Sequence, residues 1–442
     1  MFPQSKIFKI VENFGIILNK IEFENKGTYF CTQPLAYKGI YMKSLTKGDV
    51  GELLISDFFD KNFSKIYSFP NPKTKDNAEI ADVLIWLNRT VFLIEVKTRD
   101  EGTSSIESWA HSRIKKAYHQ IDKNNQRIKS NERISLKNDY YHTILDCEEI
   151  VQIIGLIVLV TEEECIIEPT QYLPEIYDNE IPIHVIMWND LKLMIEEIDT
   201  VPDFNYYLQD RFNYLKKSLL VTGQELDILG YYKSKSNKFP DKVFDFSNQW
   251  ENYQKIMKPH ISIRDEHNIY SNSIDKLEEE FISQRKLFEN IPLGMYFAWE
   301  LGNLSRREKS YYGEKIYSVF EHFSKTNKSR KFSFQSANTK NWLLFHFYKS
   351  SEKIPQNELE RLCELKLVKE VYYNSFEYGI YAFSFEISDE FPYQIKNIHS
   401  AIMMGIDAIK DIYNEKTIAQ AIREFGDNTS YSEINIREFI DL

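Results

Sequence analysis

Two apolar stretches carry three charged side chains whose types and spacing could do chemistry together. The first runs Ala81-Asp82-Val83-Leu84-Ile85-Trp86-Leu87 and the second Val91-Phe92-Leu93-Ile94-Glu95-Val96-Lys97, with Asn88-Arg89-Thr90 between them. Apolar β-branched and aromatic runs around a short polar turn predict a β-hairpin. If Asn88 and Arg89 are its two loop residues, Leu87 pairs with Thr90. Counting outward then sets Asp82 directly opposite Glu95, and such partners hold their Cβ atoms about 4.5–5.5 Å apart. Side chains alternate along a strand, so Glu95 and Lys97 share a face. Two carboxylates and one ammonium converge at one end of an otherwise apolar ribbon.

That layout implies a chemistry. Neighbouring carboxylates repel, and something must neutralise them. A divalent cation does so, and oxygen donors suit Mg2+ or Mn2+. Asp82 and Glu95 are the expected ligands, with the Val96 carbonyl completing the coordination. A metal so held can polarise a phosphodiester oxygen and lower the pKa of a bound water. Lys97 can orient that water or stabilise charge on the phosphoryl oxygens. The plain alternative is a cross-strand salt bridge, but such bridges contribute little and do not explain two paired acids.

The arrangement resembles the PD-(D/E)XK superfamily, the fold of restriction endonucleases and many repair and phage-defence nucleases. The family pattern is an acid opening one strand and (D/E)-X-K on the next. Here Asp82 is followed, after twelve residues, by Glu95-Val96-Lys97. Ala81 stands where the family often has proline. The resemblance implies two further site residues. Glu52, in Gly51-Glu52-Leu53-Leu54, matches the accessory acid on the helix before the first catalytic strand. Gln120, in Ala117-Tyr118-His119-Gln120-Ile121, matches the glutamine on the helix after the lysine strand. The match covers about residues 45–160 and can extend to 220. It implies a Mg2+- or Mn2+-dependent nuclease, expected to be an endonuclease on DNA rather than RNA, in prokaryotic phage defence or DNA repair. A non-cleaving nucleic-acid-binding or scaffold protein with a nuclease-like core is the alternative.

The elements that must position these residues follow from periodicity. Lys47 to Phe59 reads as a helix and Ile66 to Phe69 as a strand closed by Pro70-Asn71-Pro72. Ser104 to Arg127 reads as a long helix with Ile106, Trp109, Ile114, Ala117 and Ile121 on its apolar side. Thr28 to Thr32, Gln152 to Val160 and Pro182 to Trp188 read as strands, the last two fully buried. Leu191 to Ile198 and Phe204 to Leu215 read as helices. Interruptions by Gly223, Gly230, Ser234, Ser236 and Pro240 suggest a boundary at 221–245. Beyond it, Trp342 to Tyr348 and Tyr378 to Phe385 read as strands, and Leu359 to Leu367 and Ile398 to Tyr413 as helices. The expected fold is α/β: a restriction-endonuclease-like core over 1–220, a central mixed sheet flanked by helices, then an α+β domain over 221–442. That second domain is expected to regulate, bind substrate or form an oligomer, with a copy of itself or a partner protein.

Other signals weigh less. Glu364-Leu365-Lys366 repeats the E-X-K form, but its amphipathic helical setting predicts a solvated face. Asp190-Leu191-Lys192 has the D-X-K form, with Asn189 or Asp190 read as a helix N-cap. Arg113, Lys115, Lys116, Lys123, Arg127, Lys129, Arg133 and Lys137 face only Asp122 and Glu132 in the same stretch, which suits either phosphate contact or plain solvation. Tyr140, Tyr141, Tyr206 and Tyr207 could stack on bases or pack in the core. His111 and His119 read as surface residues.

Composition sets the bounds. At 442 residues, with 43% hydrophobic and 14% aromatic content, the chain holds two or three domains and is not disordered. Its net charge of −11 argues against a general nucleic-acid coat and leaves room for a local basic face. No stretch approaches the ~20 apolar residues of a membrane span, and no signal peptide is recognisable, so a cytoplasmic location is expected. Cys31, Cys147, Cys165 and Cys363 form no CxxC pair, which predicts reduced thiols without structural zinc or disulfides.

Overall fold

The computed structural model describes residues 8–16, 46–64, 66–99, 105–161, 180–217, 223–282, 287–288, 291–326, 328–352, 357–374, 379–389, 395–404 and 411–425. Thr28 to Thr32, Cys31 and Cys165 lie outside them. The chain packs as two compact units, Ala36–Tyr311, and Met1–Leu35 together with Tyr312–Leu442. This division differs from the boundary expected near residue 220. No described helix is long and apolar enough to cross a membrane.

Strand β1 (Phe8–Ile16) leads the chain and belongs to the discontinuous unit. In the contiguous unit, α1 (Lys47–Phe63) starts at a capping box: Thr46 Oγ1 accepts from the Asp49 N–H, and Asp49 accepts from the Thr46 N–H. Ile55, Phe59 and Phe63 recur at four-residue steps and are buried. Then come β2 (Ser68–Pro70), β3 (Lys73–Thr74), β4 (Val83–Leu87), β5 (Thr90–Thr98), α2 (Ile106–Lys129), β6 (Ile134–Lys137), β7 (His142–Ile144), β8 (Gln152–Val160) and β9 (Ile183–Met187). The main sheet has the order β2-β4-β5-β8-β9, with β4 antiparallel to β2 and β5, and β5, β8 and β9 parallel. Helices flank it, so the unit is mixed α/β. A second, antiparallel sheet has the order β3-β6-β7.

Helices α3 (Trp188–Glu197), α4 (Val201–Lys217), α5 (Glu225–Ser234), α6 (Gln249–Met257) and α7 (Ile261–Ile282) follow. After the short strands β10 (Leu287–Phe288) and β11 (Ile291–Pro292) come α8 (Leu293–Gly302) and α9 (Arg306–Lys325). Side-chain contacts explain why the unit continues past residue 220. Arg211 on α4 holds Glu225 on α5 through Nε at 2.8 and 3.1 Å, both groups fully buried. Gly230 lets α5 meet α6 closely: a Cβ there would fall 2.7 Å from the Trp250 backbone. Trp86 on β4 packs on Trp299 of α8, and the Tyr67 hydroxyl, donating to the Ala298 carbonyl at 2.8 Å, lies 2.9 Å from Glu278. The glycine that reads as a linker signal is a helix–helix contact. Asp190 is not an N-cap: Met187 occupies that position, and Asp190 sits in the first turn of α3.

In the other unit, β12 (Arg330–Gln335), β13 (Trp342–Lys349), α10 (Glu358–Asn374), β14 (Gly379–Ile387), β15 (Ile395–Met404) and α11 (Glu415–Phe425) complete the chain. The sheet order is β1-β15-β14-β13-β12, and only β13 and β14 are parallel, joined through α10. One sheet face stacks Phe345, Phe347, Phe383 and Phe385. The other packs Leu344, Ile380, Ala382 and Ala401 against Leu362 and Cys363 of α10.

Two expectations fail in this unit. Residues 395–404 form a strand, not the start of a helix over Ile398 to Tyr413. Pairing with β14 on one side and β1 on the other makes β15 an interior strand, and Ile398, Ala401, Ile402 and Met403 are buried. Its apolar residues therefore do not alternate, and a short run of that kind mimics helical spacing. Lys366 is not on a solvated face: it is 3% exposed, bonds Glu370 at 2.7 Å and lies 3.4 Å from the Trp342 ring centroid.

Candidate active site

The β4–β5 hairpin has the register that its turn implies. Leu87 pairs with Thr90 and Val83 with Ile94, and the Asp82 N–H extends the ladder to the Ile94 carbonyl at 3.1 Å. Asn88, at φ +54°, takes the left-handed conformation that asparagine tolerates in such turns. Asp82 thus falls just past the last ladder pair, beside Ile94 and Glu95, at one end of β5, the central strand of the sheet.

Three charges meet there under the surface. Asp82 is 7% exposed and Glu95 2%. Lys97 Nζ lies 2.8 Å from Glu95 Oε2 and 3.5 Å from Asp82 Oδ2. The Val96 N–H donates to Asp82 Oδ2 at 2.5 Å, fixing that carboxylate. Burial, and then the charge of Asp82, push the Glu95 carboxyl well up, partly offset by Lys97. Burial opposes the Lys97 ammonium, but Glu95 and Asp82 overcome this and hold its pKa above the ordinary lysine value.

Two more acids feel Asp82. Glu52 on α1 is pushed up to about 7, by burial first and then by Asp82, Glu79 and Asp49. Gly51 makes this placement possible: a Cβ there would fall 2.1 Å from Thr98 Oγ1, so only glycine lets α1 lie so close to the end of β5. Glu79 is raised by burial and then by Asp82. Sequence reasoning did not single out Glu79. It lies in an irregular segment with no periodicity, and its only signal is an acid three residues before Asp82.

Gln120 lies on α2 (Ile106–Lys129). It lies one helical turn before Asn124, whose Nδ2 donates to the Ile80 carbonyl at 2.6 Å. Its Oε1 is shielded from solvent without a hydrogen-bond partner among the described residues. Tyr141 and Tyr207 are buried, whereas Tyr140 and Tyr206 are exposed. His111 and His119 are exposed. Cys147 and Cys363 are free thiols.

Among the described residues, no three His, Cys, Asp or Glu side chains are already gathered to hold a metal ion. The Lys97 ammonium lies between Asp82 and Glu95. The donor chemistry still fits a hard cation: Glu52, Glu79, Asp82 and Glu95 present only oxygen, and they outnumber the one lysine among them. No protein-family model, curated protein or solved structure matches the chain.

Proposed function

We propose that the Ala36–Tyr311 unit is a Mg2+- or Mn2+-dependent nuclease of the PD-(D/E)XK kind that hydrolyses phosphodiester bonds of DNA. The observation that carries the reading is the convergence of the buried Asp82 and Glu95 carboxylates on the Lys97 ammonium across the β4–β5 hairpin. The order helix, strand, hairpin, helix, parallel strand supports a restriction-endonuclease-like core.

The residues divide the work. Asp82, Glu95 and the Val96 carbonyl would hold the cation, with Glu52 as an accessory ligand. When bound, the cation supplies Lewis acidity toward a phosphoryl oxygen and toward water. Lys97, fully protonated at neutral pH, offers positive charge where the phosphoryl oxygens gain negative charge. The buried setting strengthens each of these interactions.

The test is plasmid cleavage by the full-length protein with Mg2+ or Mn2+, with and without chelator. Metal-dependent cleavage, lowered by about 100-fold or more in folded Asp82→Ala and Glu95→Ala, is expected. Cleavage at the wild-type rate in either variant overturns the assignment. Metal-independent DNA binding without cleavage would instead favour the non-cleaving alternative.

A further inference from the structure

Sheet register connects the acidic cluster to a basic surface. Glu79, which senses Asp82, bridges to Lys73 on β3. Lys73 pairs with Ser135 on β6, and Ser135 pairs with Ile144 on β7. Directly paired residues project from the same side of a sheet, so Glu79, Lys73, Ser135 and Ile144 form one row. Residues two apart share that side, which adds Arg133 and Lys137, and His142 lies opposite Lys137. Lys73, Arg133, Lys137, His142 and Ile144 are exposed or half-exposed, while Thr74, Ile134 and Leu136 on the opposite side are buried.

This face is cationic up to the point where it meets the site. Lys73, Arg133 and Lys137 have no ion-pair partner among the described residues. Neighbouring strands lie about 4.8 Å apart and residues advance about 3.3 Å, so the three cations spread over a patch on the order of 10 Å across. The chain as a whole carries −11, which makes a cationic face beside an acidic cluster a local departure. The patch is also rigid. Asn138, in the β6–β7 turn, donates to the Ile66 and Ser68 carbonyls, and the Tyr141 hydroxyl donates to the Ile66 carbonyl at 3.1 Å. Both anchors tie the hairpin to β2 of the main sheet and the residues that lead into it.

We propose that the exposed face of β3-β6-β7 is a track for the phosphodiester backbone of DNA, delivering it past Lys73 and Glu79 to Asp82 and Glu95. The proposal rests on the nuclease reading for what happens at the end of the track, but not for the binding itself. Lys73, Arg133 and Lys137 position the backbone by charge, without reading sequence. Glu79 marks where the positive track gives way to the acids.

The experiment uses full-length protein and a fluorescein-labelled DNA duplex in chelator, so that binding is read by anisotropy without cleavage. Lys73→Glu, Arg133→Glu and Lys137→Glu are combined, and a matched control combines Lys115→Glu, Lys116→Glu and Lys123→Glu on the exposed side of α2. The sheet variant is expected to bind at least 10-fold more weakly. Its slope of log affinity against log salt is expected to fall by about 2–3, at ~0.9 for each phosphate that is no longer neutralised. The control should retain affinity within about threefold. A triple alanine version of the sheet variant guards against effects of reversed charge, and circular dichroism against misfolding. A sheet variant that binds like wild type, or a control that weakens as much, overturns the track. Wild-type protein that does not bind DNA in chelator overturns it too. The two readings fail separately: weakened binding in the sheet variant with no wild-type cleavage sinks only the nuclease assignment, and cleavage unaffected in the sheet variant sinks only the track.

Discussion

Glu95-Val96-Lys97 and Glu364-Leu365-Lys366 are the same tripeptide type in two settings. On β5, the two-residue step returns Lys97 to the face of Glu95, 2.8 Å from its carboxylate, with Asp82 brought in across the hairpin. On α10 the same step turns the side chain about 200° round the axis. Lys366 therefore turns from Glu364 to Glu370, four residues on, and to the Trp342 ring. The strand copy gathers unlike charges at a strand end beside two further acids. The helix copy buries Lys366 and Glu370 inside a core. Spacing alone does not define a site; spacing read with the period of its element does.

The largest expected difference between the copies is in activity. On the proposed reading, Lys97→Ala lowers metal-dependent cleavage about 100- to 1,000-fold, while Lys366→Ala stays within about twofold of wild type. Cleavage assays on both folded variants check this, and equal losses would erase the distinction.

In stability, Lys366→Ala carries the larger cost. It removes the ammonium that pairs with the buried Glu370 carboxylate, and breaking a buried pair costs about 3–5 kcal/mol. The double variant Lys366→Met with Glu370→Leu should recover most of that loss in denaturant titration. Failure to recover would mean that the Trp342 contact, not the ion pair, dominates. Gly51→Ala probes the support of the strand copy. The added methyl meets Thr98 Oγ1, so a loss of about 1–3 kcal/mol is expected, with a fall in activity as α1 and Glu52 move outward. An alanine variant that is as stable and active as wild type would remove the packing role of this glycine.

The smallest effects are in pH dependence, and they have opposite signs. Glu52 rises from 4.5 to about 7 on folding, and Glu95 also rises, so the folded protein binds protons more tightly. The stability they contribute is complete below pH 4.5 and declines as pH rises toward 7. Lys366 falls from 10.5 to about 8, chiefly through burial, with Glu370 opposing. Its contribution is complete above pH 10.5 and declines as pH falls toward 8. Thermal midpoints of metal-free protein should drop between pH 4.5 and 7, with a flatter profile in Glu52→Gln. They should recover between pH 8 and 10.5, an effect absent in Lys366→Met. Unchanged profiles in these variants would reassign the titrations to other groups.

The hairpin register was legible because it depends only on a two-residue turn and a period of two. Gln152–Val160 was legible because a parallel interior strand is apolar throughout. Glu79 was not, since its position depends on a bridge between segments without periodicity. The stretch 221–245 misled because glycine marks both flexible loops and tight helix contacts such as that of Gly230, and only tertiary structure separates the two. Ile398 misled because strands paired on both sides lose the alternation that identifies them.

Strand β1 has a consequence for synthesis. It is made long before its partner: β15 follows almost four hundred residues later. At about 5–20 residues per second that gap lasts on the order of 20–80 s. Throughout it the Ala36–Tyr311 segment can complete itself, while residues 8–16 wait as an unpaired ribbon, the form of backbone that other chains can capture. An early-made strand thus completes one edge of a late-made sheet, and the nascent chain carries its own aggregation hazard until β15 arrives.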